Sequence, residues 1–349
     1  MFQSSDYQRL LQQLTVFFAA STAEHSVTES LEPAELARRL MLDLPAEGKP
    51  LADLEIDIAD YLTHAVKTAH PKYFNQLWGG FSAPCLMGDL LTSATNTSMY
   101  THEVAPVATL IEKTVIAKLG QLVGFSNPEG QFTTGGSNGN LMAMAIACHR
   151  AAPHLKAKGI AKEPQLIAFV SAAAHYSFAK AAQILGLGTE NLWTVPIDEA
   201  GQMMVPVLES LIDQARAQGY RPFFVAATAG TTVRGDFEPL PEIATIAHRE
   251  GLWYHDDGAW GASVLLSARH RHLMVGVDQA DSVVWDAHKM MGMTLTCSVL
   301  LLKQSGQMFS TFSAPGTGYI FHADEADPND LGPSTLHCGR RVDAVKLWL

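Results

Sequence analysis

The residues with the plainest chemical capacity are His288 and Lys289. They follow Ser282-Val283-Val284-Trp285, a β-branched run that reads as a buried strand, and precede a flexible Met290-Met291-Gly292. A lysine at the mouth of a strand can condense with an aldehyde to an imine once its amine has shed the proton. Most lysines are solvated surface groups, so the weight of this one depends on what gathers around it.

Several other groups invite the same question. Thr133-Thr134-Gly135-Gly136-Ser137-Asn138-Gly139-Asn140 leads into the apolar run 141–147. A glycine-rich turn opening a helix presents bare N–H groups at the positive end of the helix dipole, which suits a phosphate. It is neither a GxGxxG fingerprint nor a Walker loop, so a nucleotide is not favoured, and a simple helix cap would also explain it. His175 follows the apolar run 166–170 after four small residues; Thr228 ends the run 223–227; Asp256 and Asp257 follow 252–255. Further back, Asn75 and Gln76 are polar amides set between aromatics in a loop broken at Pro71, where ordinary loop capping is an equal reading.

The elements that must position these groups alternate. Runs at 166–170, 192–195, 223–227, 252–255, 282–285 and 298–302 read as strands, with helices at 175–185, 206–218 and 240–249 among them. Near-continuous apolar strands alternating with helices predict an α/β fold, a mostly parallel sheet flanked by helices on both faces. Ligands of such sheets sit at the carboxyl ends of the strands, where His175, Thr228, Asp257, His288 and Lys289 fall. Residues 1–68 are helical in pattern, with Leu10, Leu11, Leu14, Phe17 and Phe18 on one face, and suit an arm that packs on a partner subunit. Helical periodicity resumes over 88–122.

Composition narrows the class. Of 349 residues, 47% are hydrophobic and 17% charged, which describes a chain with a large buried core. The net charge of -11 argues against nucleic-acid or anionic-membrane partners. No apolar run reaches the roughly 20 residues needed to span a bilayer. The stretch Leu14–Ala20 lacks a basic flank and reads as an amphipathic helix rather than a leader. Cys85, Cys148, Cys297 and Cys338 form no CxxC pair and read as buried small hydrophobes of a cytoplasmic protein.

One cofactor would use all of these groups. Pyridoxal 5'-phosphate needs a lysine for the imine, a carboxylate that keeps its pyridine nitrogen protonated, a flat group over the ring and a phosphate cradle. Lys289 supplies the first. Side chains alternate along a strand, so only one of Asp256 and Asp257 can face the cofactor. Asp257 shares a face with His255 and Trp253 and is the better choice, with Thr228 placed to orient its carboxylate and Ala259 small enough for the ring to lie against. His175 can stack on the ring, although a satisfied buried histidine is an equal reading. Ser137, Asn138, Gly139 and His288 are the phosphate contacts expected.

The stretches HPKYFNQLWGG, NTSMYTHEVAPVATLIE, FTTGGSNGNLMAM, AHYSFAKAAQILGLG, FFVAATAGTTVRGDFEPL, HDDGAWGASVLLS, ADSVVWDAHK and HCGRRVDAVKLWL together resemble the group II pyridoxal-phosphate-dependent amino-acid decarboxylases. The likeness is closest to the glutamate, aspartate and cysteine-sulfinate branch. It implies a fold-type I architecture and a decarboxylase that converts an acidic L-amino acid to an amine and CO2. It further implies a homodimer, Lys289 as the Schiff-base lysine, His175 as the stacking histidine and Asp257 at the pyridine nitrogen. Gln76 matches a glutamine lining the substrate carboxylate site, beside Asn75. Tyr319 matches a loop tyrosine that returns a proton to the substrate carbon, which with Lys289 and His175 completes the catalytic set. Several positions depart from the pattern: Asp257-Gly258-Ala259-Trp260-Gly261-Ala262 stands for the usual DAAWGG or DAAYGG, Asp256 replaces an apolar residue, Asp286-Ala287 replaces Asn-Pro, and Trp78 replaces a smaller side chain. On this likeness residues 1–68 form the helical arm, 69–340 the large cofactor domain, and 341–349 the start of a small C-terminal domain missing from the chain. The alternative is a truncated, non-catalytic remnant that binds the cofactor or only dimerises.

Overall fold

The computed structural model describes residues 4–75, 77–80, 82–159, 165–321 and 327–349. Two compact units divide at 81/82. The first holds α1 (Ser4–Ala19), α2 (Pro33–Arg39) and α3 (Leu51–His64). Gln13 Nε2 donates to the Glu55 carbonyl at 3.0 Å, and Lys49 pairs with Asp57 at 2.8 Å, so polar contacts tie α1 and the α2–α3 loop to α3. Leu10 and Leu11 of the apolar face are exposed; Leu14, Phe17 and Phe18 are half-buried.

The second unit contains α4 (Ala83–Thr95), α5 (Pro106–Val123), β1 (Glu129–Thr133), α6 (Gly136–Ala151), α7 (Leu155–Lys158), β2 (Leu166–Ser171), α8 (Ser177–Ile184), β3 (Leu192–Val195), α9 (Val205–Ala217), β4 (Arg221–Thr228), α10 (Leu240–Glu250), β5 (Trp253–Asp257), β6 (Ser282–Asp286), β7 (Ser298–Leu302), α11 (Gln307–Phe312) and α12 (Ala344–Trp348). The strands form one sheet in the order β1-β7-β6-β5-β4-β2-β3. Only β7 is reversed: it pairs antiparallel with β1 and β6, and the other pairs are parallel. The reason is the connection. Residues 287–297 link β6 to β7 without a crossover helix, and a parallel pair needs one. β1, with its polar Glu-Gly-Gln start, carries too little apolar character to read as a strand in sequence.

Strand alternation sorts the core into two layers. Tyr254, Val283, Trp285, Val225 and Val299 face the layer of α5, α9 and α10. Trp253, Val284, Ala226 and Leu300 face the layer of α6 and α8. Residues 341–349 stay with this unit: the side chain of Lys346 is fully buried, 2.8 Å from Asp343 and 2.6 Å from the Thr296 carbonyl. Cys85, Cys148 and Cys297 are buried free thiols. Cys338 is exposed, against expectation, because it sits in the irregular segment before α12 rather than in a strand or helix. No described helix is long and apolar enough to cross a membrane.

Candidate active site

The strand ends decide which side chains meet. Thr228, Asp257 and Val284 are register neighbours on β4, β5 and β6, and Asp286 is opposite Ser298 of β7. By parity Thr228, Asp257, Asp286 and Ser298 all lie on the α6 face, at one edge of the sheet. Asp256 points the other way, toward Tyr254 and Glu238.

α6 enters this edge by its N-terminus. Gly135 has φ +137, a conformation that favours glycine, and a Cβ there would meet nothing within 4 Å. A Cβ on Gly136 would lie 2.8 Å from Asp286 Oδ2 and 3.2 Å from the Ala259 methyl, so backbone and carboxylate approach closely. Thr133 Oγ1 donates to Ser298 Oγ at 2.9 Å, and the Ser298 hydroxyl donates to Asp286 Oδ1. The turn, β7 and β6 are thereby linked. Ser137 is exposed at the turn, Asn138 half-buried and Gly139 packed on Val284 at a spacing that leaves no room for a Cβ.

Asp286 is the central ion. Its Oδ2 lies 3.2 Å from Lys289 Nζ and accepts from Gly136 N at 3.3 Å; His288 Nε2 is 3.7 Å away. The negative charge that the Asp-for-Asn departure introduces is therefore matched to the lysine. His288 is held from its other nitrogen, with the Cys297 amide 3.1 Å from Nδ1.

Asp257 is 4% exposed. Its Oδ2 accepts from Asn140 Nδ2 at 2.8 Å, and its Oδ1 accepts from Ala259 N at 3.2 Å. Thr228 does not orient this carboxylate: its hydroxyl is buried without a hydrogen-bond partner among the described residues, and its amide donates to Glu238 at 2.7 Å. Asn140, one turn into α6, takes that place. His175 is half-buried, with Nδ1 accepting from Ser177 N at 3.3 Å. Burial pushes its imidazole below the usual histidine range. Asp257 and Asp286 act in the opposite sense and Lys289 with burial, which places all three charges within its field.

Tyr319 is 79% exposed in a turn at 317–320, and no described contact links it to Lys289. Asn75, in the first unit, turns its Oδ1 back to the amides of Leu77 and Trp78 at 2.8 and 3.4 Å, the loop-capping reading. Gln76 lies outside the described residues. Asn140, Ser177, His255 and Ser282 were not anticipated. A signal existed for two of them: His255 shares Asp257's strand face, and Asn140 falls one helical turn after Gly136.

The residues present fit pyridoxal phosphate. A glycine turn with open space at Gly135 begins α6, an amine is held at the strand edge, and a buried carboxylate is fixed by neutral donors. Two buried acceptors beside them, Thr228 Oγ1 and Asn138 Oδ1, have no partner among the described residues. Fold and site together define a lysine-dependent α/β enzyme of the pyridoxal-phosphate class. The chain belongs to the pyridoxal-dependent decarboxylases: residues 33–349 match the model described as the pyridoxal-dependent decarboxylase conserved domain. Cysteine sulfinic acid decarboxylase of Mus musculus is 42% identical over 331 residues, 94% of this chain and 67% of that protein. Acidic amino acid decarboxylase GADL1 of Homo sapiens is 40% identical over 336 residues, 96% of this chain and 64% of that one. The crystal structure of mouse CSAD superimposes with a TM-score of 0.94 at 40% identity, covering 99% of this chain and 72% of that one. The chain thus spans about two thirds of the length of these relatives. Its cofactor is pyridoxal 5'-phosphate, and its reaction class is amino-acid decarboxylation.

Proposed function

We propose that this site decarboxylates an acidic L-amino acid, with cysteine sulfinate, aspartate or glutamate as the substrate class. The observation that carries it is the gathering of Lys289, Asp286, His175 and Asp257 around the α6 N-terminus, in a chain 42% identical to a cysteine sulfinic acid decarboxylase. Bound pyridoxal phosphate supplies an electron sink for the carbanion left when CO2 departs. Lys289 would hold the cofactor through its amine. Asp257, fixed by Asn140 and the Ala259 amide, keeps a positive charge on the ring nitrogen by holding a negative one beside it. His175 and Ala259 would be the residues that flank the ring. Gly136 and its neighbours in the α6 turn receive the phosphate with Ser137, Asn138, Gly139 and His288, and Thr228 offers its unpartnered hydroxyl to the bound group. Asn75 and Gln76 contact the substrate, and Tyr319 returns the proton to the substrate carbon. The protein acts in the cytoplasm as a homodimer.

The test is CO2 release from cysteine sulfinate, aspartate and glutamate by purified protein with added cofactor, beside Lys289→Ala. One or more acidic substrates should be turned over by the parent and none by the variant. Parent protein that shows the cofactor's visible band yet releases CO2 from none of the three would overturn the substrate assignment.

A further inference from the structure

Beneath Asp257 runs a buried file of polar side chains on three elements. Trp253 Nε1 donates to Ser282 Oγ at 2.8 Å; Ser282 Oγ lies 2.8 Å from His255 Nδ1; His255 Nε2 lies 2.9 Å from Asn140 Oδ1; Asn140 Nδ2 donates to Asp257 Oδ2 at 2.8 Å. The two ends decide every bond between them. An indole N–H only donates, and a carboxylate only accepts. Asn140 must turn its NH2 toward Asp257, since its oxygen there would face a negative charge. Its oxygen therefore faces His255, which must donate from Nε2. Nδ1 is then the acceptor for the Ser282 hydroxyl, whose oxygen takes the indole proton. One tautomer, one amide orientation and one hydroxyl direction satisfy the whole file.

We infer that His255 and Asn140 are positioning residues for the cofactor's ring, fixing the orientation and negative charge of Asp257 through this unidirectional relay. The inference rests on the reading that Asp257 meets the pyridine nitrogen. Bonds that all point one way polarise one another, so the relay strengthens the last donor, Asn140 Nδ2, against the carboxylate. The histidine must be neutral for this. It is 0% exposed and stacks on Phe224 with centroids 5.9 Å apart; burial lowers its basicity to a pKa of about 4, so it stays neutral across the physiological range. The relay also branches. Asn140 Nδ2 donates to Ser177 Oγ at 2.9 Å, and the Ser177 amide donates to His175 Nδ1. One asparagine thus sets the group at the ring nitrogen and, through Ser177, the imidazole proposed to lie over the ring.

The test compares Asn140→Ala, His255→Leu and His255→Gln with Asp257→Ala, each loaded with cofactor carrying 15N in its pyridine ring. Three readouts are taken: the 15N shift, the pH titration of the visible band, and the dissociation constant of the cofactor by equilibrium dialysis. Asp257→Ala should move the ring nitrogen to its neutral shift. Asn140→Ala and His255→Leu should move it part of the way and weaken cofactor binding about tenfold or more, the loss expected of a hydrogen bond to an ion. His255→Gln, which keeps a donor and an acceptor at similar reach, should restore most of both. If His255→Leu fails to fold, His255→Gln against Ser282→Ala repeats the comparison at the far end of the file. Should Asp257→Ala shift the nitrogen while soluble, folded Asn140→Ala and His255→Leu leave it at the parent value, the relay is refuted and Asp257 retained. An unmoved nitrogen in Asp257→Ala overturns the Asp257 assignment and the relay with it.

Discussion

Replacing Asp286 with asparagine removes one buried charge and keeps the shape. An asparagine oxygen in the Oδ2 place can still accept from Gly136 N, and its NH2 in the Oδ1 place can donate to the Ser298 oxygen once that hydroxyl turns, so the turn and the strand pairing survive. What disappears is the ion pair with Lys289. At 3.2 Å and an effective dielectric of about 20, the gross attraction is about 5 kcal/mol. Desolvation returns most of that: Asp286 is 1% exposed on its side chain, and Lys289 keeps 21%. A net of roughly 1–2 kcal/mol is what an exposed-to-buried pair of this kind retains. That interaction opposes cofactor loading in two ways. It draws the Lys289 side chain onto the carboxylate and away from an incoming aldehyde, and it sets a carboxylate on the amide that a phosphate would use. Asp286→Asn should therefore bind pyridoxal phosphate more tightly, by about tenfold for each 1.4 kcal/mol released. The assay is a titration followed by visible absorbance, with the off-rate measured by transfer of cofactor to a trap. A variant that folds normally and binds the cofactor more weakly than the parent would refute the reasoning, because Asp286 would then be a contributor to binding rather than a competitor.

Three further outcomes follow from buried charge. Arg340 forks onto Glu112 at 2.8 and 3.2 Å and bonds the Phe132 carbonyl at 3.1 Å, with the pair 5% and 1% exposed on their side chains. Arg340→Leu strands the carboxylate and should cost about 3–5 kcal/mol in denaturant unfolding, whereas Glu112→Met with Arg340→Met should recover much of it; equal losses in both would show that packing, not charge, holds the junction. Burial pushes the Glu238 carboxyl up to about 7 from an ordinary value of 4.5. A raised carboxyl favours the native state below pH 4.5 and loses that advantage as pH climbs to 7, so Glu238→Gln should gain roughly 3 kcal/mol over the parent at pH 8 and nothing at pH 4. His255 has the opposite sign: lowered to about 4 from 6.5, it leaves stability unaffected above pH 6.5 and withdraws it as pH falls toward 4. Acid unfolding curves of His255→Gln should lack that component.

The apolar strands β2 to β7 were legible because each is a β-branched or aromatic run bounded by turn residues, and alternation put Asp256 and Asp257 on opposite faces, as the structure has them. β1 was not, since Glu129-Gly130-Gln131 has the composition of a turn and becomes a strand only by pairing with Leu300, Leu301 and Leu302. The reversal of β7 depends on how residues 287–297 close, which periodicity does not encode. At the site, reactive types announced themselves, and supporting types did not. Asn140, Ser177 and Ser282 are ordinary residues of a helix or a strand end until the fold stacks them under Asp257. Thr228 shows the converse: its position suggested a bond to Asp257 that its hydroxyl does not make.

The strand order carries a consequence for synthesis. β1 closes the sheet against β7 alone, pairing Glu129 with Leu302 and Thr133 with Ser298. An emerging chain that has already made β1 and the turn at 134–136 has no edge to receive them until about residue 302 has left the ribosome. The helical layers and the parallel strands can form meanwhile, vectorially, from contacts closer in sequence. The strand that leads into the 134–136 turn is thus anchored last, after β6 and the Asp286 end that faces Lys289 have been made.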